Sequence, residues 1–309
     1  MNMITLNEQA RVKLARLREL PTIPHIMAEV LRAMEDPDIS ASKLAKIIEK
    51  DQSLTAKILK SANSPLYGFV RRISTIDLAI VVLGLNTIRE IVLSLVIYKF
   101  FAKIDPKYFN VKAFWEYSVF CGSTSKLMAR KLGYRLAGEA FVAGLMHDVG
   151  ILILVEYFEN DYKKIFNISY TDKISELEAE RQVLGFTHAE IGYWLAEKWN
   201  LPDPLCQAIL HHHTHYSAFL KNREIATKTV DFDEIDQPLT AIVSLAEWFA
   251  FIMGKMDWLP VYEDYDLYLS NEVFEDISDD EIFEPDSAFE LLKKEIEEEY
   301  NKAAVLTDI

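Results

Sequence analysis

From Met27 to Met253, apolar residues return every three or four positions and strand-type alternation is sustained nowhere, which predicts an all-α, multi-helix fold. Met27, Val30–Leu31 and Met34 share one helical face before Asp36-Pro37-Asp38 stops the helix. Leu44, Ile47–Ile48, Leu54, Ile58 and Leu59 continue the pattern, and Asn63 to Gly68 carries turn residues. Ser74, with Asp77 three positions on, is expected to cap a helix bearing Ile76, Ile80, Leu83, Ile88, Ile91 and Leu95. Gly84 within it allows a close approach or a break. Phe114 to Leu132 is amphipathic and stops at Gly133, a natural residue just past a helix end. Ala137 to Tyr157 reads as one almost wholly apolar helix. Thr187 and Glu190 form a capping box that puts His188 in the first turn of the next helix, and Asp203-Pro204 supplies an N-cap with proline behind it. A last apolar helix follows Pro238, with Leu239, Ile242–Val243, Ala246, Phe249–Ala250 and Met253.

Charge divides the chain further. Of its 48 acidic residues, 18 follow Met256, against three lysines, so the net charge of −15 resides in that tail and the body is neutral. A neutral body with an acidic tail lacks the positive field that nucleic-acid backbone binding needs. Asp105-Pro106 marks a boundary, giving an N-terminal helical part at 1–105, a second helical part at 106–255 and an acidic, partly helical extension at 256–309. Phe274, Phe283, Phe289 and Leu291–Leu292 are too many apolar residues for a purely solvated tail, and part of it is expected to pack on the body. The apolar run from Leu78 to Tyr98 is interrupted by Asn86, Arg89 and Glu90, which argues against a membrane span. The first 20 residues have no apolar signal core, and Cys121 and Cys206 make no disulfide framework. A cytoplasmic protein is expected.

The chemistry concentrates at Gly144-Leu145-Met146-His147-Asp148-Val149-Gly150, where a histidine and an aspartate interrupt apolar sequence. An ionised carboxylate in dry surroundings must be compensated, by a divalent metal or by a hydrogen-bond network with a helix N-terminus, an arginine or another histidine. Both remain open at this stage. His188, His212, His213 and Glu247 lie on other helices, and a helical bundle can bring such residues together. Each also has a plain structural reading: His188 as a first-turn residue, the histidines at 211–213 as partners of a helix C-terminus, Glu247 as an edge residue in water. Phosphate-loop, dinucleotide, nucleophile-elbow and paired-cysteine motifs are missing from the sequence. Cys121 reads as a small buried hydrophobe and Arg71-Arg72 as a solvated pair.

Leu20-Pro21-Thr22-Ile23-Pro24 and Ile47-Ile48-Glu49-Lys50-Asp51-Gln52-Ser53-Leu54-Thr55-Ala56-Lys57-Ile58-Leu59 resemble the opening of the HDOD domain. Ala62-Asn63-Ser64, Ile73-Ser74-Thr75-Ile76, Phe141 to Gly150, His188-Ala189-Glu190-Ile191-Gly192 and Trp199-Asn200-Leu201-Pro202 extend the resemblance over about Leu20 to Met253. It implies an N-terminal helical half joined to an HD-like half, related to HD and HD-GYP phosphohydrolases, and a place in bacterial signal transduction, with no demonstrated catalytic activity in most members. By the same resemblance, His147 and Asp148 match the namesake dyad, His188 the later single histidine, and His212 and His213 the histidine pair. Tyr117 stands where HD enzymes supply an earlier histidine, and Glu247 where they supply the last aspartate. Thr214-His215-Tyr216 replaces the glycine-rich segment of HD-GYP enzymes, which argues against cyclic-dinucleotide hydrolysis.

The resulting expectation is a non-catalytic signalling module that engages a protein partner, with Asn63 to Arg72 as a docking site. One divalent metal, iron, manganese, nickel or zinc, is expected on His147, Asp148, His188, His212, His213 and Glu247. The alternative is a metal-dependent phosphohydrolase of a nucleotide or other phosphoester. A third reading keeps the metal purely structural.

Overall fold

A computed structural model describes residues 39–63, 72–101, 109–213, 238–256 and 287–303, with scattered positions between 25 and 36 and Leu306–Thr307. The described residues are helical and contain no strand. In chain order the helices are α1 (Ala41–Ile48), α2 (Gln52–Ala62), α3 (Ile76–Leu83), α4 (Leu85–Phe101), α5 (Val111–Lys131), α6 (Ala137–Met146) and α7 (Val149–Tyr157). They continue as α8 (Glu159–Asp172), α9 (Glu176–Val183), α10 (His188–Lys198), α11 (Asp203–His211), α12 (Pro238–Ile252) and α13 (Ser287–Ala303).

Local sequence fixes most of the starts. Ser40, Asp51, Asn110 and Ser175 each accept a hydrogen bond from a backbone N–H of the first turn that follows. Thr187 and Glu190 close the expected capping box, holding His188 at the head of α10. Two starts move by one residue. Thr75, not Ser74, caps α3, because its hydroxyl is the one that meets the Leu78 N–H, at 3.2 Å. Pro202 occupies the cap of α11, so Asp203 is already helical and its Oδ1 accepts from Gln207 Nε2 at 3.2 Å. Gly84, at φ +83°, ends α3 and turns the chain into α4. Asn63 bridges the ends of the segment that follows α2: its Nδ2 donates to Ile73 O, and its Oδ1 accepts from Ile73 N, both at 2.8 Å. Residues 64–71, Asp105-Pro106, Phe274 and Phe283 lie outside the described residues.

The centre of the molecule is α5, which packs on α6, α12 and α13 and also touches α4. Its sequence explains this: Tyr117, Phe120, Cys121, Ser125 and Ala129 are all buried, and Gly122 lets α6 lie close. Helices α7, α10 and α11 form the next group, with α11 returning against α6 and α12. On the other side, α4 carries α2 and α3 and meets α6. Glu90 of α4 is buried there, with its carboxylate near Gly138 in the first turn of α6, where a helix favours negative charge.

The single apolar helix expected at 137–157 is two helices, α6 and α7, interrupted at His147-Asp148. Taken as one span, it is long and apolar enough to cross a membrane, yet 89% of its apolar window is buried inside the protein, as in a core helix. The interruption lets Gly150 meet the head of α10: a Cβ there would overlap the His188 carbonyl. Only glycine permits that approach, and it brings the first turns of α7 and α10 together.

Part of the acidic extension packs as expected. Helix α13 lies on α5, with Ile296 fully buried and Phe289 and Leu292 partly so, while Leu291 is 60% exposed. Trp115 Nε1 donates to Leu306 O at 3.0 Å, and Arg130 meets Glu299 at 3.1 Å.

Two substitution pairs test this packing. Ile296→Ala is expected to cost about 2–5 kcal/mol and Leu291→Ala well under about 1 kcal/mol, measured by denaturant unfolding. Gly150→Ala is expected to cost more than Gly84→Ala, whose penalty of about 1 kcal/mol is backbone strain alone. Equal midpoints for that pair would mean that α7 and α10 do not need the close approach.

Candidate metal centre

Four structural pieces carry the six residues singled out from sequence. The α6–α7 break holds His147 and Asp148, the head of α10 holds His188, the end of α11 leads into His212 and His213, and the middle of α12 carries Glu247. Asp148 is 2% exposed and sits at the start of α7, beside the start of α10, without making a side-chain cap hydrogen bond. The burial of Glu247, at 9% exposure, rules out its reading as an edge residue in water.

Around Asp148 the histidines are held in defined orientations. His147 Nδ1 lies 2.7 Å from Gly144 O, and His212 Nδ1 lies 2.8 Å from Ile209 O, so each Nδ1–H donates to a carbonyl. His188 Nδ1 stands 2.9 and 3.0 Å from the two oxygens of Glu180, a carboxylate that also accepts from the His188 backbone N–H at 2.8 Å. In all three rings Nδ1 is committed to an acceptor, and Nε2 is the atom turned to the centre. Ser244 of α12 donates to His212 O and ties down the end of α11.

The oxygens of Asp148 have different neighbours. Oδ2 accepts from the Tyr117 hydroxyl at 2.9 Å, and the same hydroxyl is 2.9 Å from His147 Nε2. Oδ1 lies 3.3 Å from His188 Nε2 and 3.2 Å from His212 Nε2. Despite these distances, Asp148 Oδ1 and His212 Nε2 make no hydrogen bond of acceptable geometry. His213 Nε2 closes the cluster at 2.8 Å from His188 Nε2, with its Nδ1 3.6 Å from Glu247.

Charge follows the same geometry. Burial opposes ionisation of Asp148, but His147, His188 and His212 hold its pKa well below the usual carboxylate range. Burial likewise works against protonation of His188, and Glu180 and Asp148 overcome it, keeping its pKa well above the ordinary value. His147 is raised in the same way, against burial, chiefly by Asp148. Burial takes His212 down to about 4 and His213 well below its usual value, so both are neutral. Glu247 is pushed up to about 8 by burial and by the Asp148 charge.

These residues fit a divalent cation. Ligand atoms bound at ~2.1 Å to one ion lie about 3.0–3.4 Å from each other, which is the spacing of His188 Nε2 and His212 Nε2 from Asp148 Oδ1. Asp148, His188, His212 and His213 each place a donor atom within 4.8 Å of the others, and His147, His212 and Glu247 form a second such group. A cation among the first four would complete the two buried atoms that lack hydrogen bonds. Imidazole and carboxylate donors without thiolate suit iron, manganese, nickel or zinc.

Glu180 is the functional residue that the sequence reading passed over. It is one of four acids from Glu176 to Glu190, and like Glu176 it is buried on α9; only its contact with His188 sets it apart. Tyr117, placed by resemblance near the dyad, is in direct contact with both of its members. Cys121 is fully buried, and burial, Glu247 and Asp148 push its thiol pKa well up, in keeping with a packing role.

Glu180→Gln is expected to weaken metal binding about 10- to 100-fold, measured by competition with a chelating dye, because the amide no longer fixes the His188 ring as strongly. Affinity is expected to rise from pH 6 to pH 8, since the metal must displace the proton that His188 holds in the metal-free chain.

The sequence model of the HDOD domain matches residues 20–215. An HDOD domain protein of unknown function from Geobacter sulfurreducens is 26% identical with a TM-score of 0.72, over 96% of this chain and 97% of that one. A Shewanella amazonensis protein provisionally named a phosphohydrolase is 22% identical with a TM-score of 0.68, over 96% and 97% of the two chains, and supports the fold alone. An uncharacterised protein of Treponema pallidum is 26% identical over 243 residues, 74% of this chain, and the match spans only 45% of that relative.

Proposed function

The chain belongs to the HDOD family, and we propose that it is a non-catalytic signal-transduction module that holds one divalent metal on Asp148, His188, His212 and His213 and acts through a protein partner. The observation that carries this reading is the burial of the centre. His147, Asp148, His188 and His212 are each at most 2% exposed, and the side chains of His213 and Glu247 are only 16% and 11% exposed. A phosphoester would need to bring a reacting phosphorus to the metal, and such burial favours an ion that joins the first turns of α7 and α10 to the end of α11.

Tyr117 supports the same reading. Its hydroxyl takes up Asp148 Oδ2 and His147 Nε2, the two donors that would face an incoming group from α5. A metal bound here contributes folding free energy directly, because the donors come from segments that are separate in sequence. The segment between Asn63 and Arg72 is the proposed docking region, with its two ends clamped by Asn63 and Ile73.

A second reading, a metal-dependent phosphohydrolase, is favoured by the donor set itself, since a divalent ion on His and Asp ligands polarises phosphoryl oxygen and activates water. In that case Glu247 and His213, the least deeply buried of the six, would be the groups nearest a substrate.

Elemental mass spectrometry on the untagged protein, paired with a phosphate-release screen of nucleotides and phosphoesters in Mn²⁺ and Fe²⁺, separates the two. The signalling reading expects close to one metal per chain, loss of that metal in Asp148→Ala and His212→Ala, and no phosphate release. Release that disappears in Asp148→Ala would establish the hydrolase instead.

A further inference from the structure

Helix α13 is held on the body in the manner of a bound peptide. Its apolar anchors are Phe289, Leu292, Ile296 and Tyr300, three or four residues apart and therefore aligned on one face. Phe289 lies 6.1 Å from the rings of both Trp248 and Phe249, and Tyr300 meets Phe120 edge-on at 5.4 Å. Acids flank that row, and each finds a cation of the body: Glu295 pairs with Lys131, Glu297 with Lys255 at 3.2 Å, and Glu299 with Arg130 at 3.1 Å. Lys255 also stands over the Phe120 and Tyr300 rings, 5.6 and 5.2 Å from their centroids.

The attachment is one-sided. Among the described side chains of α13 only Ile296 and Glu299 are buried, whereas α12 is buried along most of its length. Glu290, Lys294, Glu298 and Asn301 are exposed, so the helix already has a polar outer face suited to water. Its pairs to the body each have a partner more than 40% exposed, and such pairs are individually weak and screened by salt. Residues 257–286, with twelve acids and no base, separate α13 from α12 in the chain. An element that buries so little of itself opens at a lower free energy than the core. Its departure would uncover a strip of Phe120, Trp248 and Phe249 rimmed by Arg130, Lys131 and Lys255. Aromatic anchors supply affinity and a charged rim supplies partner choice.

We propose that this strip along α5 and the end of α12 is a docking groove for an acidic amphipathic helix of a partner protein, and that α13 fills it as an intramolecular competitor. The partner helix would repeat the pattern of α13, bulky apolar residues three or four apart with glutamates beside them that meet Lys131, Lys255 and Arg130. The inference rests on the partner-binding part of the function proposed above and gives that partner a chemistry. It involves neither the metal centre nor the segment between Asn63 and Arg72.

The test uses full-length protein and a fluorescent peptide of residues 286–303 as the probe. Ile296→Asp puts a charge at the fully buried anchor, releasing α13 while leaving the groove intact. That variant is expected to bind the peptide with micromolar affinity, and the wild-type chain at least about tenfold more weakly, because its own α13 competes. A peptide with the same Ile→Asp change is expected not to bind, and adding Arg130→Glu and Lys131→Glu to the protein is expected to cost about another tenfold. No binding to a folded Ile296→Asp protein would overturn the proposal, as would equal binding to the wild type. A wild-type dimer that Ile296→Asp dissolves would assign the groove to a second copy of the chain and overturn it too. Hydrogen exchange on the wild-type protein decides the matter even if the variant does not fold. The amides of α13 are expected to exchange while α5 and α12 stay protected, and faster in 1 M than in 0.05 M NaCl; exchange of all three together would overturn the proposal. The assay needs no metal, so its failure leaves the proposed metal centre standing.

Discussion

The structure turns on one buried carboxylate. Asp148 cannot be ionised in that environment without compensation, and every element near it supplies some. Tyr117 donates to one oxygen, and His188 and His212 crowd the other. What these contacts leave over is informative. Oδ1 and His212 Nε2 stand 3.2 Å apart without a hydrogen bond, the residual need that a cation meets and that a purely hydrogen-bonded network would have closed.

Much of the surrounding fold serves this convergence. The break between α6 and α7 places Asp148 in non-helical backbone, directly after His147, at the meeting point of helices, and Gly150 lets the head of α10 approach. The capping box at Thr187 fixes where α10 begins, and thereby where His188 stands. Glu180 then sets the ring, as the outer carboxylates of metal sites commonly do. Tyr117 keeps α5 in contact with the dyad through its hydroxyl. A site ordered this fully and buried this deeply is better suited to holding a conformation than to admitting a substrate.

The helical fold was readable because its signals are local: apolar period, capping residues and glycines at helix ends all lie within a few positions of one another. The convergence of His147, Asp148, His188, His212, His213 and Glu247 was readable only through family resemblance, since separations of tens of residues carry no spatial information of their own. Three features escaped. The break at 147–148 lies inside an apolar run without proline and with glycines on both sides, so composition reads it as continuous helix. Glu180 is chemically indistinguishable from Glu176 and Glu178 until the facing helix is known. The Glu90–Lys126 pair escaped for the same reason, its partners being 36 positions apart.

X-ray absorption at the metal edge is the most direct test of the central claim, that Asp148 and the histidines form a metal centre. For protein loaded with one equivalent of Zn²⁺ or Fe²⁺, the account predicts a first shell of nitrogen and oxygen at ~2.0–2.2 Å, with the outer-shell scattering of two to three imidazole rings. A shell of oxygens alone, unchanged by His188→Ala and His212→Ala, would place the metal elsewhere and leave Asp148 as a purely hydrogen-bonded carboxylate.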